Sequence, residues 1–197
     1  MICEIDLWVM REACGQLRRW NAGREVPLFL NINLSAQHFS RTGLVQQVQW
    51  ILAEEAVQPQ HLHLEITEST LMSQQEVVLT TLRQLRTLGL QIVLDDFGTG
   101  YSSLSYLQQF PLDGLKIDRS FVAAMKHQPE VLNTIIQLGQ NLNMHVVAEG
   151  IEDGTQARQL QDMVCEFGQG YFFARPMPTP EVTAFLKAGL VRPSLDG

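Results

Sequence analysis

The chain has 197 residues, 45% apolar and 18% charged, with 14 Lys and Arg against 21 Asp and Glu for a formal net charge of −7. One sizeable core fits that length and two do not, and the acidic balance excludes a surface that holds nucleic acid through clustered Lys and Arg. Cys3, Cys14 and Cys165 form no CxxC pair and no even disulfide framework, which points to a reducing cytoplasm, and the opening MICEIDLWVMREACGQLRRW is too broken by charges for a signal peptide or a membrane span.

In chain order, Ile5, Trp8, Leu17 and Trp20 give the first segment the spacing of an amphipathic helix. It leads into LFLNINLS at 28–35, an expected strand. Helical spacing follows at Leu44, Val48, Ile51 and Leu52, then a strand at 61–67, HLHLEIT. Leu79, Leu82, Leu85 and Leu88 mark the next helix, before strands LQIVLDD at 90–96 and DGLKID at 113–118. Val131, Ile135 and Leu138 mark another helix, before MHVVAE at 144–149 and QGYFFA at 169–174. Near-continuous apolar strands alternating with helices describe a parallel sheet covered by helices.

Polar residues sit at the C-terminal ends of these strands: Asn33, Glu65, Asp95 with Asp96, Lys116 with Asp118, Glu149 and Gln169. In a (β/α)8 barrel that rim is where side chains from different strands meet. A doubly wound sheet is the rival, but it brings ligands only to a switch point and leaves most of these acids without a shared partner. The expected fold is therefore α/β, a TIM-like (β/α) barrel that is incomplete, with about six of eight strands in one domain over residues 1–197. A closed barrel needs about 250 residues, and the two missing strands are expected to precede the first helix.

Asp95 and Asp96 close a buried strand and run into the turn Phe97, Gly98, Thr99, Gly100. Adjacent carboxylates in an apolar setting take up protons or bind a cation, and hard divalent ions prefer oxygen ligands. With Glu65, Glu149 and Asn33 there are oxygen donors enough for two metals, a recurring device for phosphodiester hydrolysis. An isolated Asp-Asp after a strand also reads as a turn or a helix cap. Lys116 likewise reads two ways: paired with Asp118, or holding a phosphate oxygen or the attacking water. His61, His63 and Glu65 alternate onto one strand face like a metal set. At about 3.3 Å per residue His61 lies about 13 Å from Glu65, so the histidines are read as barrel-interior or packing residues. Asp96-Phe97-Gly98 matches the kinase DFG by coincidence, because no Gly-rich loop, HRD segment or VAIK lysine accompanies it.

Taken together, NINLS, LEITES, DDFGTGYSSLSYL, LKIDRSFV, VVAEGIE and QGYFFARPMP resemble, in this order, the EAL domain family, from the first helix to about Pro178. The resemblance implies a TIM-like barrel that binds cyclic di-GMP and hydrolyses it to linear pGpG by a two-metal mechanism, with two Mg2+ or Mn2+ ions per complete site. Position by position it assigns Asn33, Glu65, Asp95, Asp96 and Glu149 to the metals, with Asp95 bridging both. Lys116, Glu149 and Asp96 carry the catalysis, Lys116 by positioning the hydrolytic water. Supporting or substrate-binding roles fall to Asp118, near that lysine, to Gln169, which lines the pocket, to Glu68, which braces the Asp-Asp-Phe-Gly-Thr-Gly loop, and to Glu152, which supports a turn.

One departure stands out, since the family's Glu-Ala-Leu motif precedes Asn33 and has no counterpart here. Glu12-Ala13-Cys14 lies inside a predicted helix, and Glu55-Ala56 falls after Asn33. The expectation is a cyclic di-GMP phosphodiesterase domain impaired in this truncated chain, with turnover left open by the missing glutamate. The alternative is a catalytically inactive module that binds cyclic di-GMP or another protein. Expected partners are cyclic di-GMP, a second copy, or an upstream sensory or GGDEF domain, with neither nucleic acid nor a membrane segment.

Overall fold

Five of the six apolar runs read as strands form one, at Leu30–Asn33, Leu62–Thr67, Gln91–Phe97, Gly114–Ile117 and His145–Glu149, as their β-branched and leucine side chains favour. The computed structural model describes residues 1–98 and 107–188 in two compact units, Met1–Gly114 and Leu115–Gly197. The last part of the DDFGTGYSSLSYL motif, from Thr99 to Tyr106, lies outside the described residues.

The first unit contains α1 (Ile2–Asn21), β1 (Leu30–Asn33), α2 (Ala36–Phe39), α3 (Leu44–Glu54), β2 (Leu62–Thr67), α4 (Glu68–Met72), α5 (Gln75–Thr87) and β3 (Gln91–Phe97). Its strands run β1-β2-β3. The pairing is parallel, with Asn33 beside Glu65 and Thr67 beside Asp95. Strand alternation therefore collects Asn31, Asn33, His63, Glu65, Thr67, Val93 and Asp95 on one face. Ile32, Leu64, Ile66, Ile92 and Leu94 take the other face and are buried. Met10, Leu17, Val48, Ile51, Val78, Leu82 and Leu85 of the helices are buried as well. Each such side chain stabilises the unit by about 1.5 to 3 kcal/mol. The start of β3 is tied down by Asp113, whose carboxylate accepts from the Ile92 amide at 3.0 Å and meets Arg86 at 2.9 Å.

The buried stripe of α1 differs from the one expected. Cys3, Asp6, Met10, Cys14 and Leu17 are inside, while Ile5 and Trp8 are exposed. The reason lies in close packing against α3. Glu55, the C-cap of α3, reaches over Gly15, where a Cβ would stand 3.0 Å from its Oε2, and the helix sets its small Cys14-Gly15 side inward with Trp8 outward.

The second unit takes most of β4 (Gly114–Ile117), then α6 (Arg119–Ala124), α7 (Pro129–Asn141), β5 (His145–Glu149), α8 (Gly154–Asp162), β6 (Phe167–Gln169) and α9 (Thr179–Lys187). Its order is β4-β5-β6, with β5 and β6 parallel and Glu149 beside Gln169. Leu115, Ile117, Leu132, Ile136, Val146 and Ala148 are buried. Two caps start helices where the sequence places acids: Asp118 before α6 and Asp153 before α8, the latter accepting from Gln156 N at 2.8 Å.

The last expected strand, 169–174, is displaced: β6 stops at Gln169 and the chain turns through Phe173 N and Ala174 N, both donating to Gly170 O. Gly170 forces this. A Cβ there would sit 2.1 Å from the Ile151 carbonyl oxygen, so the strand ends against the Ile151 backbone, which donates to Gln169 O at 3.1 Å and accepts from Phe172 N at 3.0 Å. Among the described residues no helix is long and apolar enough to cross a membrane.

Candidate functional site

In the first unit the polar face of the sheet ends in Asn33, Glu65 and Asp95. Glu65 is buried, and its Oε1 accepts a 2.7 Å hydrogen bond from Asn31 Nδ2. Asn31 is absent from the sequence assignment. The signal was there, because two residues before Asn33 in NIN is the same strand face.

Asp95 is buried and Asp96 exposed, as alternation along a strand requires. Alternation alone would send the two carboxylates to opposite faces. Asp96 instead adopts φ +55°, a left-handed conformation that costs a non-glycine residue about 1 kcal/mol or more and that Asp tolerates better than most. Its amide turns back to donate to Asp95 Oδ1 at 3.0 Å. The two acids thereby offer carboxylate oxygens within 4.8 Å of each other. Oxygen donors so close fit a hard divalent cation and no soft one.

Glu68 opens α4 directly after β2, where the helix N-terminus favours an acid. It is buried, and its Oε1 accepts from the Gly98 amide at 2.7 Å. That contact joins the turn after Asp96 to the end of β2.

In the second unit Lys116 is buried on β4, with Nζ 2.7 Å from Glu149 Oε1 on β5. The pairing with Asp118 that the sequence left open is not made. Asp118 spends its carboxylate on α6 instead, accepting from Ser120 N at 3.0 Å and from Ser120 Oγ. The Ser120 hydroxyl holds the Asp118 carboxyl below the usual carboxylate range. After Glu149 the backbone turns at Gly150, φ +72°, where a Cβ would lie 2.4 Å from Arg119 Cβ. The start of α6 therefore packs against the end of β5. Gln169 is exposed beside Glu149 in register. Glu152 is exposed too, and its backbone amide donates to Gln156 Oε1 at 2.7 Å in the turn before α8.

The two histidines part company. His63 is buried and stacked on Phe29 with centroids 4.4 Å apart. His61 ends the 3-10 turn Pro59–His61 and lines a cavity of about 460 Å³ with Arg18, Arg24 and Gln58.

The EAL domain family model matches residues 1–176. The chain is 41% identical over 187 residues to the bifunctional diguanylate cyclase/cyclic di-GMP phosphodiesterase MucR of Pseudomonas aeruginosa, covering 93% of this chain and 27% of MucR. It is 40% identical over 191 residues to the cyclic di-GMP phosphodiesterase NbdA of the same organism, covering 95% of this chain and 24% of NbdA. The chain thus spans about a quarter of the length of these curated relatives. The structure of the MucR phosphodiesterase with cyclic di-GMP superposes with a TM-score of 0.87 at 41% identity, over 92% of this chain and 74% of that one. The manganese and cyclic di-GMP complex of Klebsiella pneumoniae BlrP1 superposes with a TM-score of 0.79 at 26% identity, over 89% of this chain and 45% of that one. The fold is accordingly α/β and TIM-like.

Proposed function

Because the chain belongs to the EAL domain family, we propose that it is the EAL-type domain of a cyclic di-GMP phosphodiesterase, cleaving one phosphodiester bond to leave linear pGpG. The observation that carries this reading is the left-handed Asp96, which gathers two adjacent carboxylates within 4.8 Å beside β2. Strain of that kind persists where a site needs it. The residues that would hold two Mg2+ or Mn2+ ions are Asn33, Glu65, Asp95, Asp96 and Glu149, all oxygen donors, with Asp95 the one that would serve both. When bound, such ions supply Lewis acidity and screen the negative charge of the phosphodiester.

The remaining roles belong to the chain itself. Asn31 holds one oxygen of Glu65 and so aims the other. Glu68 keeps the turn after Asp96 in place through Gly98. Lys116, a buried ammonium held beside Glu149, is proposed to position the attacking water or a phosphate oxygen. Asp118, through its cap on α6, supports the segment beside Glu149, Gln169 lines the substrate pocket, and Glu152 supports the turn after β5. A cytoplasmic location, and a partner that is a second copy or a sensory or GGDEF domain, fit this reading, since MucR is named as both cyclase and phosphodiesterase.

A second reading rests on one sequence fact: nothing before Asn33 matches the Glu-Ala-Leu motif. A site short of one ligand binds without efficient turnover, which makes the 197-residue chain a cyclic di-GMP-binding module. Chromatography of pGpG formed in Mn2+, run beside a cyclic di-GMP titration, separates the two. The expected result is metal-dependent binding with negligible turnover by this chain, and turnover once a Glu-Ala-Leu segment is joined to it. Absence of both binding and turnover in either form would overturn the family-based reading. Full turnover by the 197-residue chain would make the glutamate dispensable.

A further inference from the structure

Asp6 is a buried acid on α1, and burying a carboxylate is costly unless donors meet it. They do. Oδ2 accepts from Ser35 Oγ and from Ser35 N at 3.3 Å, and lies 3.1 Å from His38 Nδ1. His38 is itself only 1% exposed. A serine, a histidine and an aspartate together suggest a nucleophile relay, but the connectivity excludes one. In a relay the serine hydroxyl donates to the imidazole, whereas here the hydroxyl and the imidazole both address the same carboxylate oxygen.

The position of the cluster gives it a different use. Ser35 stands two residues after Asn33 and precedes α2, which contains His38. Leu34, between Asn33 and Ser35, donates its amide to Glu65 O at 2.9 Å. The backbone that leaves β1 is thus held from one side by β2 and from the other by the Asp6 carboxylate. β1 is only four residues long, and the exposed Asn33 is its last. A side chain there is placed only as well as the backbone that follows it.

We propose that Asp6, acting through Ser35 and His38, is a positioning residue for the metal site: it fixes the exit of β1 so that the Asn33 amide oxygen is presented to a divalent cation. This rests on the reading of Asn33 as a ligand. None of the three residues touches the cation, and the effect is carried by the backbone from Ser35 to Asn33.

The test compares the 197-residue chain with Asn33→Ala, Asp6→Asn, Ser35→Ala and Ser35→Thr. Mn2+ affinity is measured by calorimetry, thermal unfolding is followed in chelator, and the mobility of the Asn33 side-chain amide is read by NMR relaxation in the metal-free protein. Asp6→Asn and Ser35→Ala are expected to weaken Mn2+ about 10- to 100-fold, the range for groups that orient a ligand, and to mobilise the Asn33 amide in the folded state. Ser35→Thr, which keeps the hydroxyl, is expected to bind like the unaltered chain. If Asp6→Asn does not fold, Ser35→Ala and Ser35→Thr decide the matter, and the NMR readout needs no metal. A lower unfolding temperature with unchanged Mn2+ affinity and an unchanged Asn33 amide would mean a merely structural cluster and would overturn the proposal. If Asn33→Ala itself leaves Mn2+ affinity intact, the ligand assignment falls, and this proposal with it.

Discussion

The two units hold their acids by different means. In the first, Glu65 takes a hydrogen bond from the Asn31 amide, Glu68 from the Gly98 backbone and Asp95 from the Asp96 backbone. Neutral donors orient a carboxylate without cancelling its charge. In the second, Glu149 faces the Lys116 ammonium at 2.7 Å. The contrast lies in what meets each carboxylate. In the first unit amide donors fix how the acids point, while in the second a buried ammonium meets a half-buried carboxylate.

The contrast breaks first at Lys116. Lys116→Met takes the ammonium away from the half-buried Glu149 carboxylate and is expected to cost about 3 kcal/mol in urea unfolding, the lower end for breaking a buried pair. Asp95→Asn and Glu65→Gln, measured in chelator, should stay within about 1 kcal/mol of the unaltered chain, because neutralising one of several neighbouring acids relieves repulsion. Equal losses from Lys116→Met and Asp95→Asn would erase the distinction.

Alkali sharpens the picture for the first unit. Burial, with the Glu55 carboxylate nearby, pushes the Cys14 thiol from 9.0 up to about 12. A group whose folded pKa is raised contributes stability that is present below the unfolded value and lost as pH climbs toward the folded one. Between pH 9 and 12 the chain should lose on the order of 3 kcal/mol relative to Cys14→Ala, seen in paired denaturation curves. A parallel pH dependence of the two proteins would remove Cys14 as the cause.

Metal should act mainly through the acids of the first unit. At about 100 times its dissociation constant, Mn2+ is expected to stabilise the chain by about 2.7 kcal/mol. Asp95→Asn should abolish that gain and Glu68→Gln only reduce it, since Glu68 works through the Gly98 turn. In a form joined to a Glu-Ala-Leu segment, hydrolysis should follow the same order. Identical losses from the two substitutions at saturating Mn2+ would argue against Asp95 as the bridging ligand.

The smallest effect belongs to the second unit at acid pH. Asp118 has a lowered pKa because of Ser120, so its contribution is present above the ordinary value of 3.8 and disappears as pH falls through the lowered one. Asp118→Ala should cost about 1 kcal/mol at neutral pH, the usual worth of a cap, and nothing at low pH. A constant cost across that range would mean that the carboxylate charge plays no part in the cap.

Much of this was legible before any coordinates. Glu65, Asp95 and Glu149 announce themselves as acids closing apolar strands, whereas Asp118, read as another strand-end acid, proves to cap the helix that follows. Lys116 was legible as a residue but not by its partner. Asp118 is nearer in sequence, yet its carboxylate is occupied by Ser120, and Glu149 reaches the lysine only because β4 and β5 belong to the same packed unit. The buried stripe of α1 was misjudged because hydrophobicity favours Trp8 and Ile5, while close approach to α3 favours Cys14 and Gly15.

Local order in the chain determined the longer helices, five of the six strands and the polar residue closing each of those strands, because periodicity depends on neighbours within about four positions. Partner choice lay beyond that reach. Asp6 meets Ser35 and His38 across 29 and 32 residues, and Asn31 meets Glu65 across 34. Only strand register and helix packing bring such groups within hydrogen-bond distance. The left-handed turn at Asp96 is of the same kind: isolated Asp residues seldom adopt it, and here the Glu68 contact to Gly98 and the buried end of β3 hold it in place.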